Sequence, residues 1–208
     1  VIAAGTGLGE SGLLRSGGRL TPFPSEGGHC DFAPNNPLET ELYEFLRQRF
    51  GHVSYERVLS GQGIENVYDF LRDTSKSVEP PDLTAELEAC ADRPAVISKH
   101  ALSGKHEICV RTLEMFTEVL GAETGNLVLR LFAIGGVYIG GGIAPKVAEF
   151  LRRPAFLEAV RAKGRMRPLI ESTPIKLITN QYTGLIGAAA FARDQLKLSD
   201  PRPQEARA

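Results

Sequence analysis

Two short stretches hold side chains suited to a ligand rich in hydroxyl groups. In SEGGHCDFAP, Glu26 and His29 flank two glycines, so a carboxylate and an imidazole can reach one small space from a loop. The carboxylate accepts hydrogen bonds, and the imidazole donates or accepts them. A loop histidine satisfied by nearby backbone is the competing reading of the same residues. In SYERVLSGQG, Glu56 is followed by Arg57 and a Gly61/Gly63 turn, and by itself it reads first as a solvated or ion-paired charge.

Two glycine clusters offer a different chemistry. Gly5, Gly7 and Gly9, with Thr6 between them, let a hairpin present bare N–H groups and one hydroxyl to an anion. Gly140, Gly141 and Gly142 follow an apolar strand and precede a helix expected to open at Ile143 or Pro145. Free N–H groups and the helix dipole there would favour a phosphate or a flat base. A tight turn at the first cluster, and close strand–helix packing at the second, account for the glycines equally well. From Gly7 the chain also spells G-x-G-x-x-G. A dinucleotide fingerprint needs its third glycine in the first turn of a helix, whereas Gly12 leads into LLRSGGRLTPFP. Gly17 and Gly18 would each cost about 1 kcal/mol in a helix.

Two other groupings carry less. Cys30 beside His29 has the residue types of a thiol–imidazole dyad, but neighbours in sequence rarely face one another and no third group orients them. His100, His106 and Cys109 lack any CxxC or HExxH spacing, and Cys109 falls on an apolar helical stripe, which makes it a core residue.

The elements that must position these groups read as a mixed α/β arrangement. Residues 1–4, 11–15 and 19–23 form short strands separated by glycine turns. In NNPLETELYEFLRQRFG, Asn36 is an N-cap, Pro37 the first helical residue and Glu39 the partner of a capping box. Leu38, Leu42, Phe45 and Leu46 share one face of that helix, and Gly51 stops it. A second helix spans 63–71, RDTSKSVEPPDL is a surface loop, and residues 84–91 begin another helix. From Glu107, the spacing of Cys109, Leu113, Phe116, Leu120, Leu127 and Leu131 predicts one long buried helix in spite of Gly121 and Gly125. A strand, turn and helix follow across 132–151, then a helix over 154–163, a strand in IKLITN, and a terminal helix with Thr183 as its cap.

Composition narrows the class. The charge is balanced, 24 basic against 25 acidic side chains, which gives no footing for a nucleic-acid groove or a polybasic membrane surface. Cys30, Cys90 and Cys109 are an odd, scattered set, unlike a secreted disulfide framework, so the expected location is the cytoplasm. No apolar run approaches the roughly 20 residues of a membrane span. The first residue is Val, inside a strand, and a longer parent protein is expected.

Taken in order, GTGLG, EGGHCDFAP, SYERVLSGQGIENVY, GGVYIGGGIAPK and TGLIGAAAFA resemble the bacterial-type glucokinase family of the hexokinase and actin superfamily. The resemblance runs from Gly5 to Ala192. It implies ATP-dependent phosphorylation of D-glucose to glucose 6-phosphate. Residues 1–196 would be the large C-terminal domain of a two-domain sugar kinase, an RNase H-like (actin-like ATPase) α/β domain with a mixed sheet and flanking helices. Residues 197–208 would be a disordered tail. In the family the GTGLG hairpin is the second phosphate motif, so Gly5, Thr6, Gly7 and Gly9 are expected on the ATP phosphates and Gly140, Gly141 and Gly142 at the adenosine. Glu26, His29 and Glu56 are expected on the sugar hydroxyls. The family's first phosphate motif, its aspartate that positions Mg2+, and the Asn-Asp pair that takes the 6-hydroxyl proton lie on a small N-terminal domain, and none of them occurs in this sequence. No catalytic base and no metal ligand is therefore expected here; Mg2+ would be held through the nucleotide and the small domain, and this chain alone would be inactive. The cysteine-rich zinc motif of the related repressor and sugar-kinase family is missing too. Glucose and ATP are the implied partners, with a homodimer left open. The alternatives are a kinase for a neighbouring hexose such as mannose, or a non-catalytic sugar-binding or regulatory module of the same fold.

Overall fold

The structure, a computed structural model, describes residues 1–16 and 18–199 and divides into a unit Val1–Leu177 and a smaller one from Ile178 onward. In the first unit, β1 (Ile2–Ala4), β2 (Leu8–Ser16), β3 (Arg19–Ser25), β4 (Val137–Gly140) and β5 (Ile175–Leu177) form one sheet of order β3-β2-β1-β4-β5. The first three strands are an antiparallel meander, and β4 and β5 run parallel to β1 and to each other. This is the mixed sheet of an RNase H-like domain. The hairpin strands exceed the expected bounds because their register continues to Ser16↔Arg19 at one end and Glu10↔Ser25 at the other. Pro22 and Pro24 are tolerated in β3 because it is an edge strand.

Between the meander and β4 lie five helices: α1 (Pro37–Phe50), α2 (Gly61–Asp73), α3 (Pro81–Ala89), α4 (Arg93–Ser103) and α5 (Glu107–Leu131). The caps of α1 form as the sequence indicates. Asn36 Oδ1 accepts from Glu39 N at 2.9 Å, Glu39 Oε2 accepts from Asn35 N at 2.6 Å, and Gly51 ends the helix at φ 73°. Leu42 and Leu46 are fully buried, with Leu38 and Phe45 packed beside them. The long helix α5 is the centre of the core: Cys109, Leu113, Phe116 and Leu120 have no exposed surface. Gly121 and Gly125 do not break it, because α7 (Pro154–Arg161) approaches closely there. A Cβ on Gly121 would sit 2.6 Å from Phe156 O, and one on Gly125 would overlap Val160 O.

Several local readings are corrected. No helix opens at Ile143 or Pro145. Residues 141–147 are a run of turns, and α6 (Ala148–Leu151) is a single turn beyond them. The reason is tertiary: Ile143 N donates to Ala4 O at 3.2 Å, which ties the segment to the end of β1. The helix α4 went unread, although Asp92 Oδ1 caps Ala95 N at 3.0 Å and Gly104 closes it at φ 66°. α3 starts at Pro81 rather than Thr84, so part of the expected loop is helical. The rest of that loop is tied down by Tyr68 Oη donating to Glu79 Oε2 at 2.6 Å. α8 (Arg167–Glu171) follows α7, and β5 takes up only the first half of IKLITN. In the second unit, α9 (Thr183–Ser199) begins at Thr183 itself. Thr183 is therefore not the cap: its hydroxyl donates to Asn180 O at 2.7 Å. Gly17 and residues 200–208, most of the expected tail, lie outside the described residues.

Candidate active site

β1 and β4 are parallel neighbours, paired Ile2↔Ile139 and Ala3↔Gly140, so the glycine turns that follow them open at the same sheet edge. A Cβ on Gly5 would lie 3.8 Å from Gly142 N. In an α/β sheet this edge, outside the carboxyl ends of parallel strands, is where ligands bind. Gly141 makes its turn with φ 87°, and a Cβ there would overlap the backbone of Ala4. Gly9 and Gly140 flank Ala3 from either side within the sheet.

A third element completes the edge. Gly61 N donates to Gly5 O at 2.8 Å, which anchors the first turn of α2 on the hairpin, and Ser60 Oγ caps α2 by accepting from Gly63 N at 3.0 Å. Gly5, Thr6, Gly61, Gln62, Gly142 and Lys146 line a cleft of about 850 Å³ whose far wall is α4, with Ser98, Lys99 and Leu102. The positive end of the α2 dipole, with Lys146 nearby, is a setting for polyphosphate, and the apolar side of the α4 wall accepts a flat ring. Sequence reasoning found Gly5, Thr6 and Gly142 but missed Gln62, Lys146 and the α4 wall. Lys146, closing the GGGIAPK stretch, was the legible signal among these.

The other face of the hairpin meets the carboxylates. Glu26 directly follows β3, and Gly27–His29 is one tight turn in which His29 N donates to Glu26 O at 3.0 Å. Tyr55–Arg57 is a second such turn. The two are stitched together by Tyr55 N donating to Cys30 O at 3.0 Å, Phe32 N to Val53 O at 2.9 Å, and the Asp31↔Ser54 bridge. Glu26 and His29 are exposed, and Glu56 is half-buried. Glu56 Oε2 accepts from Leu8 N at 2.9 Å, and a Cβ on Gly7 would overlap that same oxygen. Glu56 is thereby locked to the glycine hairpin, and its carboxylate fills the space that a side chain at Gly7 would need.

The remaining groups settle as follows. Cys30 is exposed and Cys109 buried, its thiol pushed up to about 12 by desolvation. His100 Nε2 pairs with Glu86 Oε2 at 2.7 Å. No helix among the described residues is long and apolar enough to cross a membrane.

The Glucokinase family model matches residues 1–195. The chain belongs to the glucokinase family. Among its curated family relatives, the glucokinase of Trichormus variabilis is 44% identical over 204 residues, covering 92% of this chain and 60% of that protein. A crystal structure of a glucokinase from an Antarctic psychrotroph superimposes with a TM-score of 0.79 at 34% identity, covering 93% of this chain and 57% of the other. The glucokinase of Balamuthia mandrillaris, solved in complex with glucose, gives 0.76 at 25% identity, over 92% and 53%. This member of the family thus spans about 60% of the length of the curated relatives it matches.

Proposed function

We propose that this chain supplies the sugar-binding side and one wall of the nucleotide site of an ATP-dependent glucose 6-phosphotransferase. The observation that carries the reading is the bond from Leu8 N to Glu56 Oε2. It sets the expected sugar carboxylate directly behind the expected phosphate hairpin, and phosphoryl transfer requires the acceptor hydroxyl and the γ-phosphate to be adjacent. Glu26, His29 and Glu56 hold the sugar hydroxyls. Gly5, Thr6 and the α2 N-terminus take the phosphates, and Gly142 leaves open space for the nucleoside, with no atom within 4 Å of a Cβ placed on it.

Catalysis is positioning and electrostatics, and the family's proton-accepting aspartate belongs to the small domain. Among the described residues no group of three acidic, histidine or cysteine side chains is placed to hold a metal ion, so this chain's residues do not fit Mg2+ by themselves. The ion comes with the nucleotide, and no step is assigned to it here. ATP and free thiols both suit the cytoplasm.

The test is a coupled glucose 6-phosphate assay with MgATP on the intact protein and on these 208 residues alone. Turnover by the intact protein and silence from the chain alone are expected. Turnover by the chain alone would overturn the placement of the base. Use of mannose in preference to glucose would change the substrate, and inactivity of the intact protein on both would favour a regulatory module.

A further inference from the structure

Strand alternation puts Leu8, Glu10 and Gly12 on the buried face of β2, and the helical repeat puts Phe116, Leu120, Glu123 and Leu127 on the buried stripe of α5. At two of these positions, where the pattern asks for an apolar side chain, stands a carboxyl group. The side chains of Glu10 and Glu123 are 1% and 0% exposed. Both reach one guanidinium. Arg130 Nη2 lies 3.3 Å from Glu10 Oε2 and bonds to Glu123 Oε1. Two carboxylates in direct contact with a single guanidinium, with Lys163 further off, are a costly buried arrangement unless one carboxyl keeps its proton. Desolvation first, then the neighbouring Glu123, push the Glu10 carboxyl up to about 7. The other titratable groups facing the pair are the Tyr55 hydroxyl and Lys163.

The two ends of this network are the undersides of the two sugar-side turns. A Cβ on Gly27 would overlap Glu10 Oε2, so the turn that carries His29 rests on that carboxyl group. At the other end Tyr55, the residue before Glu56, directs its hydroxyl at Glu123. Asn126 Nδ2 donates to the Tyr55 hydroxyl at 3.0 Å and to Glu123 Oε2 at 2.9 Å. Among the described residues Glu10 Oε1 is buried without a donor to satisfy it, which disfavours the ionised carboxylate.

We propose that Glu10 and Glu123, held together through Arg130, are positioning residues that support from beneath the two backbone-joined turns presenting Glu26, His29 and Glu56 to the sugar. This rests on the sugar-side reading above. With a proton on Glu10 the contact is a hydrogen bond. Without it two like charges repel beneath the turns, which stay joined by their backbone bonds but tilt their side-chain heads out of register; this weakens sugar binding and leaves the nucleotide cleft of β4 and α4 as it was.

The experiment is steady-state kinetics of the intact protein between about pH 6 and 8.5, with KM for glucose and for MgATP measured separately. In the unsubstituted protein the glucose KM rises by about tenfold across this range, the scale of one lost charge-dependent contact. Glu10→Gln keeps the shape and cannot ionise, so its glucose KM stays flat relative to that rise. Glu123→Ala raises the glucose KM by about tenfold or more while the ATP KM moves less than about twofold. Parallel glucose profiles for the unsubstituted protein and Glu10→Gln overturn the proposal, as does equal loss on both substrates. Should thermal melting show Glu123→Ala unfolded, the Glu10→Gln profile decides alone. An intact protein that neither binds nor phosphorylates glucose overturns the sugar reading and this inference with it. Normal glucose use with parallel profiles overturns only the positioning role.

Discussion

The two faces of the Gly5–Gly9 hairpin are built in opposite ways. On the cleft side the lining at the sheet edge is mostly bare backbone and small side chains, with Lys99 and Lys146 exposed at the margin. On the carboxylate side each turn stands on a buried polar network, Glu10 beneath one and Tyr55, Asn126 and Glu123 beneath the other. The difference follows from what each face is read to recognise. A phosphate is satisfied by any converging set of N–H groups, and the main chain fixes those wherever the turn is fixed. Sugar hydroxyls need carboxylate and imidazole heads at set separations, because hydrogen bonds weaken steeply off-axis, and heads on short turns are only as well placed as their supports.

The largest effect that would sharpen this contrast is at Glu56. In the intact protein Glu56→Ala removes the charge-assisted bonds proposed to the sugar and, as a separate cost to stability, leaves Leu8 N–H, on a 6% exposed residue, without its partner. The lost sugar bonds are worth about 3 kcal/mol, or roughly a hundredfold in kcat/KM for glucose, with the ATP KM within about threefold. Equal damage to both substrates would mean that the two faces are not separable.

Next comes the backbone of the cleft. Gly141→Ala must hold φ 87° against the Ala4 main chain, a cost of about 2–3 kcal/mol that lowers Tm by roughly 5–10 °C. Gly142→Ala meets open space and melts with the unsubstituted protein. Matching melts for the two variants would refute the close approach of β1 to this turn.

Smaller still is Lys146→Ala, which removes one charge at the cleft margin. An ATP KM raised about tenfold with an unchanged glucose KM is expected, the mirror image of Glu56→Ala.

The smallest effect is on stability. Because the folded Glu10 carboxyl titrates at about 7 rather than 4.5, its contribution to stability is fully present below pH 4.5 and is lost as pH rises through about 7. Urea midpoints should fall between those limits by on the order of half a molar, and Glu10→Gln should flatten the fall. Parallel midpoint curves for the unsubstituted protein and Glu10→Gln over this interval would show that the Glu10 carboxyl is not raised.

Much of this was legible in the chain. Asn36, Glu39 and Gly51 specify the ends of α1 because caps are local hydrogen bonds among neighbouring residues. The apolar stripe from Cys109 to Leu131 specifies α5 because its repeat is the helical period. The glycine clusters, and Glu26, His29 and Glu56, were visible as groups able to bind. Other features were closed to the sequence. The expected helix after Gly142 gives way to turns because Ile143 N is claimed by Ala4 O, far away along the chain. Glu10 and Glu123 fall on the apolar faces of their elements, but that they share one guanidinium shows only once β2 and α5 are brought together. Gly27 looks like turn punctuation until Glu10 lies beneath it. Sequence determined the ends of the capped helix and the buried face of the long one, both set by neighbours within a few residues. Only the tertiary structure decided which glycine turn faces which, that Glu56 closes on Leu8, and which carboxyls are buried, because those depend on contacts between strands and helices separated by tens of residues.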